Sequence, residues 1–194
     1  MIERRTVYYE KPGKEDTETT LKLAKAYADT SGIRDIVVAS TTGETGAAAA
    51  RLFKGCNVVV VTHHAGFSEL GVHELTEENR KRILTDGARI VTGTHALSGV
   101  ERDVRRRFGT MQPLELIANT LRLMGEGTKV CVEIALMAAD AGLISGGMDV
   151  IAIAGTGHGA DTALVIHPAH SNNSFDLYVD EVITKPLRAR SASS

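Results

Sequence analysis

Short apolar runs alternate along this chain with longer stretches of amphipathic period. Asp35 to Ala39 and Asn57 to Thr62 are β-branched and apolar on both faces, the pattern of strands buried inside a parallel sheet. Ala88 to Val91 is a shorter run of the same kind, and Asp149 to Ala154 a longer one. Thr162 to Ile166 follows too soon for a crossover helix, so these last two predict an antiparallel hairpin. Helices are predicted in between. Asp16 or Thr17 can cap one that carries Leu21, Leu23, Ala24 and Tyr27 and stops at Ser31-Gly32. Ala47 to Leu52 predicts a helix of small residues suited to close packing on a sheet, closed by Gly55. Thr76 opens a third, running to Asp86 with Glu77 and Glu78 in its first turn. Pro113 opens an apolar helix over Leu114 to Met124, Gly125-Glu126-Gly127 turns the chain, and Lys129 to Ala141 forms another. Thr6 to Tyr9 adds an N-terminal strand, and Tyr178 to Ile183 a last one. The chain from Lys185 on, residues 187–194 above all, reads as a frayed tail.

Strands alternating with helices imply a single domain over residues 1–194, an α/β fold of three layers (α/β/α) with a mostly parallel sheet. Ligands of such sheets sit beyond the carboxyl ends of the strands, where the strand order reverses. Four of those ends share one polar vocabulary. The first is Ser40-Thr41-Thr42-Gly43-Glu44-Thr45-Gly46, which joins a strand to a helix and so gathers hydroxyls, free amides and the positive end of a helix dipole. A phosphate or a carboxylate needs that chemistry. The others are Thr62-His63-His64-Ala65-Gly66, Thr92-Gly93-Thr94-His95 and Gly155-Thr156-Gly157-His158-Gly159-Ala160-Asp161. Loops of this kind also close βα units that bind nothing. Turn chemistry alone, however, would draw on Asn, Pro and Ser as readily, and the repeated Thr and Gly, three times with His, point to one shared pocket.

His63, His95 and His158 are candidates for general acid or base work, because imidazole titrates near neutral pH. His63 and His64 are adjacent, so on an extended segment one faces a pocket and the other the surface. No HxH, HExxH or Cys-His spacing supports a metal site. Arg102, Arg105, Arg106 and Arg107 are interleaved with Glu101 and Asp103 and read as a solvated or subunit-facing surface, which leaves a homo-oligomer open. Ser40 lacks the G-x-S-x-G setting of a hydrolase nucleophile. A formal charge of −2 and a pI near 6.4 argue against nucleic acid as a partner. Cys56 and Cys131 lie in apolar surroundings without ligand spacing, which suits a reduced compartment and hence the cytoplasm. No window approaches the roughly 20 apolar residues of a membrane span, and the N-terminus leads into no signal-peptide core.

The run Ile36 to Gly46 resembles the effector loop of the pyruvate kinase C-terminal domain, Thr/Ser-x-Ser/Thr-Gly-x-Ser/Thr before a helix, with Ser40, Thr42, Gly43 and Thr45 in those places. The turn Gly155-Thr156-Gly157-His158-Gly159 resembles that domain's last hairpin. The whole chain is similar to stand-alone, mainly archaeal proteins built from this domain alone. The resemblance implies a five-stranded core sheet of order 3-2-1-4-5 with strand 5 antiparallel, so that the Ser40 and Gly155 loops face each other. It also implies flavin mononucleotide (FMN) as the cofactor. Glu44 and Asp161 would then take the polyol, and Phe67 or Met148 would lie near the ring. With no room for a catalytic barrel, phosphoenolpyruvate chemistry does not carry over. Two classes stand: a binding protein or flavoprotein for a phosphorylated small molecule, and a histidine-assisted enzyme acting on a phosphoester or phosphosugar.

Overall fold

The computed structural model describes residues 1–188; the rest of the expected tail, 189–194, lies outside the described residues. Seven strands form one sheet: β1 (Val7–Tyr9), β2 (Asp35–Ala39), β3 (Asn57–Thr62), β4 (Arg89–Thr92), β5 (Val150–Ala154), β6 (Thr162–His167) and β7 (Tyr178–Pro186). Their order is β1-β7-β6-β5-β2-β3-β4. The middle of that sheet, from β4 to β6, is the expected core order 3-2-1-4-5. Strands β2, β3, β4 and β5 are mutually parallel, and β6 runs antiparallel to β5. Two further strands extend it. β7 is antiparallel to β6, with register shifts that mark bulges, and β1 adds parallel to β7 as an edge. β7 continues through Lys185 to Pro186, so the tail starts later than Lys185.

Helices cover both faces. α1 (Thr17–Ser31), α2 (Glu44–Leu52) and α3 (Glu77–Thr85) lie on one side. There Leu21, Ala24, Ala49, Phe53 and Ile83 meet Ile36, Val38, Val58, Val60, Ile151 and Ile153. On the other side are α5 (Pro113–Arg122) and α6 (Glu126–Asp140), while α4 (Glu101–Phe108) packs on α5. Val37, Val59, Val61, Val150, Ala152 and Ala154 face this second core. Successive strand residues thus enter opposite cores, which is why these strands carry no polar face. α6 is buried almost all round between the sheet and α5, and this draws Lys129 and Glu133 into the interior.

Local chemistry explains most boundaries. Gly32 in the left-handed region ends α1, and the Thr76 side chain accepts from the Asn79 amide to begin α3. Two helices start three residues before their expected first residue. α2 begins at Glu44, not Ala47, and α6 at Glu126, not Lys129. In both, a glycine that reads as a turn lies inside the first turn. A Cβ on Gly46 would stand 2.6 Å from Val60 Cγ1, and one on Gly127 would collide with Thr162. Close approach of helix to strand outweighs the helix-propensity cost of glycine, about 1 kcal/mol.

Candidate phosphate groove and adjoining cavity

β2 and β5 pair in parallel with Val38 opposite Ile153, so Ala39 and Ala154 end side by side. Their following loops face each other across a groove of about 950 Å³. Ser40, Thr41, Thr42, Glu44 and Thr45 line one bank; Gly155, Gly157, His158 and Gly159 line the other; His63 borders both loops' meeting point. Gly43 adopts φ +94, a left-handed conformation that turns the chain into α2. The Thr42 carbonyl is fastened from behind by Thr76 N (3.2 Å) and Asn79 Nδ2 (3.0 Å). Ser40 Oγ accepts from Gly46 N at 3.0 Å. That bond removes the Gly46 amide from any ligand and leaves those of Glu44 and Thr45, which have no backbone partner among the described residues.

Beside the groove lies a second, partly open cavity of about 250 Å³, lined by α4, α5 and α6 and by the ends of β2 and β3. The two spaces share Ala39, Ser40, Thr41, His63, Glu126 and Val130. An aromatic cluster forms the wall: ring centroids are 4.0 Å apart for His63 and Phe67, 5.0 Å for Phe67 and His95, and 5.2 Å for His63 and His95. His63 Nδ1 is 2.8 Å from Glu74 Oε2, which orients the ring. Burial holds the His95 imidazole well below its ordinary value, down to about 4, and the neighbouring His63, Lys129 and His64 add to this against the pull of Glu133. His95 is therefore neutral at physiological pH. On the cavity floor Lys129 Nζ meets Glu133 Oε2 at 2.6 Å, and Glu133 Oε1 accepts from Leu97 N at 3.0 Å. This buried pair ties α6 to the loop that carries His95.

Residues 18–166 match the family described as pyruvate kinase, alpha/beta domain. The chain belongs to this family. Among solved structures, a pyruvate kinase from Cryptosporidium parvum aligns at 16% identity and TM-score 0.37, over 72% of this chain and 20% of that one. A second Cryptosporidium parvum pyruvate kinase structure, in complex with ADP, aligns at 14% identity and TM-score 0.38, over 86% and 23%. An NH3-dependent NAD synthetase from Campylobacter jejuni aligns at 14% identity and TM-score 0.31, over 70% of this chain and 54% of that one. The chain spans about a fifth of the length of the two pyruvate kinases.

Within this family member, several residues with ligand-like chemistry do other work. Asp161 is fully buried and lines neither space; its carboxylate accepts from Thr156 N (3.1 Å) and Thr162 Oγ1 (2.7 Å), shaping the hairpin turn. Thr156 and the glycines Gly43 and Gly46 line neither space. Thr92, Gly93 and Thr94 also stand apart, because β4 is the sheet edge; only His95 of that segment reaches the cavity. Thr62 reaches it too, with its hydroxyl 2.7 Å from Thr92 Oγ1. Met148 precedes β5 and is exposed at the amino end of the sheet, away from the groove. Of the two adjacent histidines, His63 lines both spaces and His64 neither, although both rings pack near Phe67 and His95 because β3 has ended and the chain turns. The arginine run divides. Arg102 and Arg105 face the cavity, while Arg106 and Arg107 pair with Asp103 on the exposed side of α4.

The pattern of strands and loops gave no sign of Lys14 and Thr17, which line the groove from the N-terminal segment. Thr17 Oγ1 accepts from Ala160 N at 3.0 Å and donates to the Lys14 carbonyl at 2.6 Å, fastening this segment to the glycine-rich turn. The cavity carboxylates Glu115, Glu126 and Glu133 were equally silent, apart from the four-residue spacing of Lys129 and Glu133 inside an apolar helix.

Proposed function

We propose that the groove binds a phosphorylated small molecule, with FMN the leading candidate. The observation that carries this reading is the convergence of two loops from neighbouring parallel strands on one groove, at the N-terminus of α2. The Thr42 and Thr45 hydroxyls and the amides of Glu44 and Thr45 suit a phosphate, and Lys14 supplies a cation. A volume of about 950 Å³ accommodates a mononucleotide, being at the upper end of the range for small-molecule sites. Glu44 lines the groove and suits ribityl hydroxyls, taking over the role Asp161 cannot play. His63 lines the groove and, with the Phe67 ring 4.0 Å from it in the adjoining cavity, offers a flat face to an apolar ring. The two free cysteines suit a reduced compartment, and among the described residues no helix is long and apolar enough to cross a membrane; we place the protein in the cytoplasm on this basis.

Titration calorimetry with FMN and riboflavin tests the reading, since riboflavin lacks the phosphate. FMN should bind the tighter, and Thr45→Ala should weaken FMN about ten-fold by removing a charge-assisted hydrogen bond. Equal affinities for the two flavins would overturn the phosphate assignment. The second reading, an enzyme on a phosphoester or phosphosugar, draws support from His63, whose Nδ1 is held by Glu74 while its ring borders both spaces. An imidazole oriented by a carboxylate is the arrangement of a general base. Turnover of a phosphorylated substrate that disappears in His63→Ala would favour it.

A further inference from the structure

The groove and the cavity adjoin along one border, where Ser40, Thr41 and His63 face both. A ligand held at the start of α2 can therefore extend past His63 into the cavity. What it meets there is set by charge pairing. Three of the cavity's four cations are already matched, Arg105 to Glu115, Arg122 to Glu126 and Lys129 to Glu133. Arg102 is the exception. Among the described residues it has no carboxylate partner, and its guanidinium lies over the Phe67 ring, 4.6 Å from the centroid. A cation–π contact gives the N–H donors of a guanidinium no oxygen to bond. The Phe67 ring in turn stands 4.0 Å, centroid to centroid, from His63 at the border with the groove. Two direct contacts thus link the unpaired cation to that border.

The side chains along this path are flat and carry little charge. Phe67, His63 and His95 all line the cavity, and burial keeps His95 neutral at physiological pH. A planar ring suits such a wall. A second full anion does not suit the space, because four carboxylates also line it and three of its cations are committed to three of them. A neutral carbonyl oxygen accepts from Arg102 without adding charge. We infer that the cavity receives the far end of the ligand whose phosphate sits in the groove, that this end is a planar ring edged with carbonyl oxygens, and that Arg102 selects it by donating to one of them. The inference rests on the groove as the phosphate site. FMN belongs to this class and so does UMP, whereas AMP has a ring without carbonyls and ribose 5-phosphate has no ring.

The test is titration calorimetry of the full chain with FMN, UMP, AMP and ribose 5-phosphate, and with riboflavin to separate this inference from the reading it rests on. FMN or UMP should bind at least about ten-fold tighter than either AMP or ribose 5-phosphate, from the hydrogen bond to a charged donor and from the ring's contact with the aromatic wall. Arg102→Gln should weaken that ligand about ten-fold, to the level of AMP, and leave ribose 5-phosphate unchanged. Arg102 is exposed on α4, and circular dichroism checks that the variant is folded. Phe67→Leu, which removes the ring under the guanidinium, should lower the same preference. A folded Arg102→Gln that keeps the parent affinity, AMP or ribose 5-phosphate within about three-fold of the best ring ligand, or no saturable binding below about 10 mM would each overturn the inference. FMN tighter than riboflavin with Arg102→Gln silent would overturn it and leave the phosphate reading intact. Equal affinities for FMN and riboflavin that both fall in Arg102→Gln would overturn the phosphate reading, while the contact between ring and Arg102 would stand.

Discussion

Lys129→Met should destabilise the fold by about 3–5 kcal/mol, the usual result of stripping one partner from a buried ion pair. The side chains of Lys129 and Glu133 are only 7% and 5% exposed, and their charged atoms are 2.6 Å apart. Without the ammonium, Glu133 keeps a single hydrogen bond, from Leu97 N at 3.0 Å, against the cost of a desolvated carboxylate. For a chain of this length the total stability is about 5–15 kcal/mol, so the loss is a large share of it. With a urea slope of about 2.5 kcal/mol/M, the unfolding midpoint should fall by about 1–2 M. The double variant Lys129→Met/Glu133→Leu removes both charges. It leaves only the Leu97 amide unpartnered, at about 1–3 kcal/mol, and should be more stable than the single variant although it carries one more change. A midpoint within about 0.4 M of the parent for Lys129→Met, or a double variant less stable than the single, would refute the reasoning. Either outcome would mean that the cavity hydrates the pair.

Three further outcomes can be checked. The folded chain holds His95 at about 4 against an ordinary value of 6.5, so the unfolded chain takes up a proton first as pH falls; stability should be full above pH 6.5 and decline between 6.5 and about 4. The loss should reach at most about 3 kcal/mol, and His95→Phe should show a shallower decline in urea midpoints between pH 7.5 and 4.5. Gly46→Ala should cost about 1–3 kcal/mol through overpacking against Val60 and Ile83, despite alanine's better helix propensity; a raised thermal midpoint would count against this. Gly157 has φ +86 and faces the groove with nothing within 4 Å of an added Cβ, so Gly157→Val should abolish FMN binding in calorimetry while costing only about 1–3 kcal/mol of stability.

The parallel core and its antiparallel last strand were legible because strands without a polar face suit the inside of a parallel sheet and because Ala154 to Thr162 leaves no space for a crossover helix, whereas the order 3-2-1-4-5 came only from the resemblance carried by the Ser40 and Gly155 loops. The helix starts at Glu44 and Glu126 were not, since Gly46 and Gly127 punctuate the chain locally while serving packing against β3 and β6. α4 went unread because Val104 is its only half-buried apolar side chain and its remaining residues read as a charged run. Asp161 looked like a ligand because an aspartate that binds backbone amides of a turn has the same signature as one that binds a polyol. The cavity was hidden for a different reason. Arg122–Glu126 and Lys129–Glu133 are four residues apart and locally visible, but Arg105–Glu115, which joins α4 to α5, is not encoded by any local period.

The family match covers residues 18–166, and residues outside it also line the groove. β1 and β7 extend the sheet beyond β6, and the amide of Leu187 bonds the Tyr9 carbonyl at 2.8 Å, while the Tyr9 hydroxyl meets Thr20 Oγ1 at 2.8 Å. These contacts fix where the chain leaves β1. From there Lys14 and Thr17 are carried to the glycine-rich turn, whose Gly159 packs against them so closely that a Cβ would collide with both. The bank formed by Gly155 to Gly159 is thus held from outside the matched region. Lys14, the single lysine or arginine among the groove's lining residues, comes from there too. The matched region provides two facing loops, and the segment before it lines the space between them. Ligand choice in this chain should therefore respond to Lys14 and Thr17 as strongly as to the Ser40 loop, although neither residue lies in the matched domain.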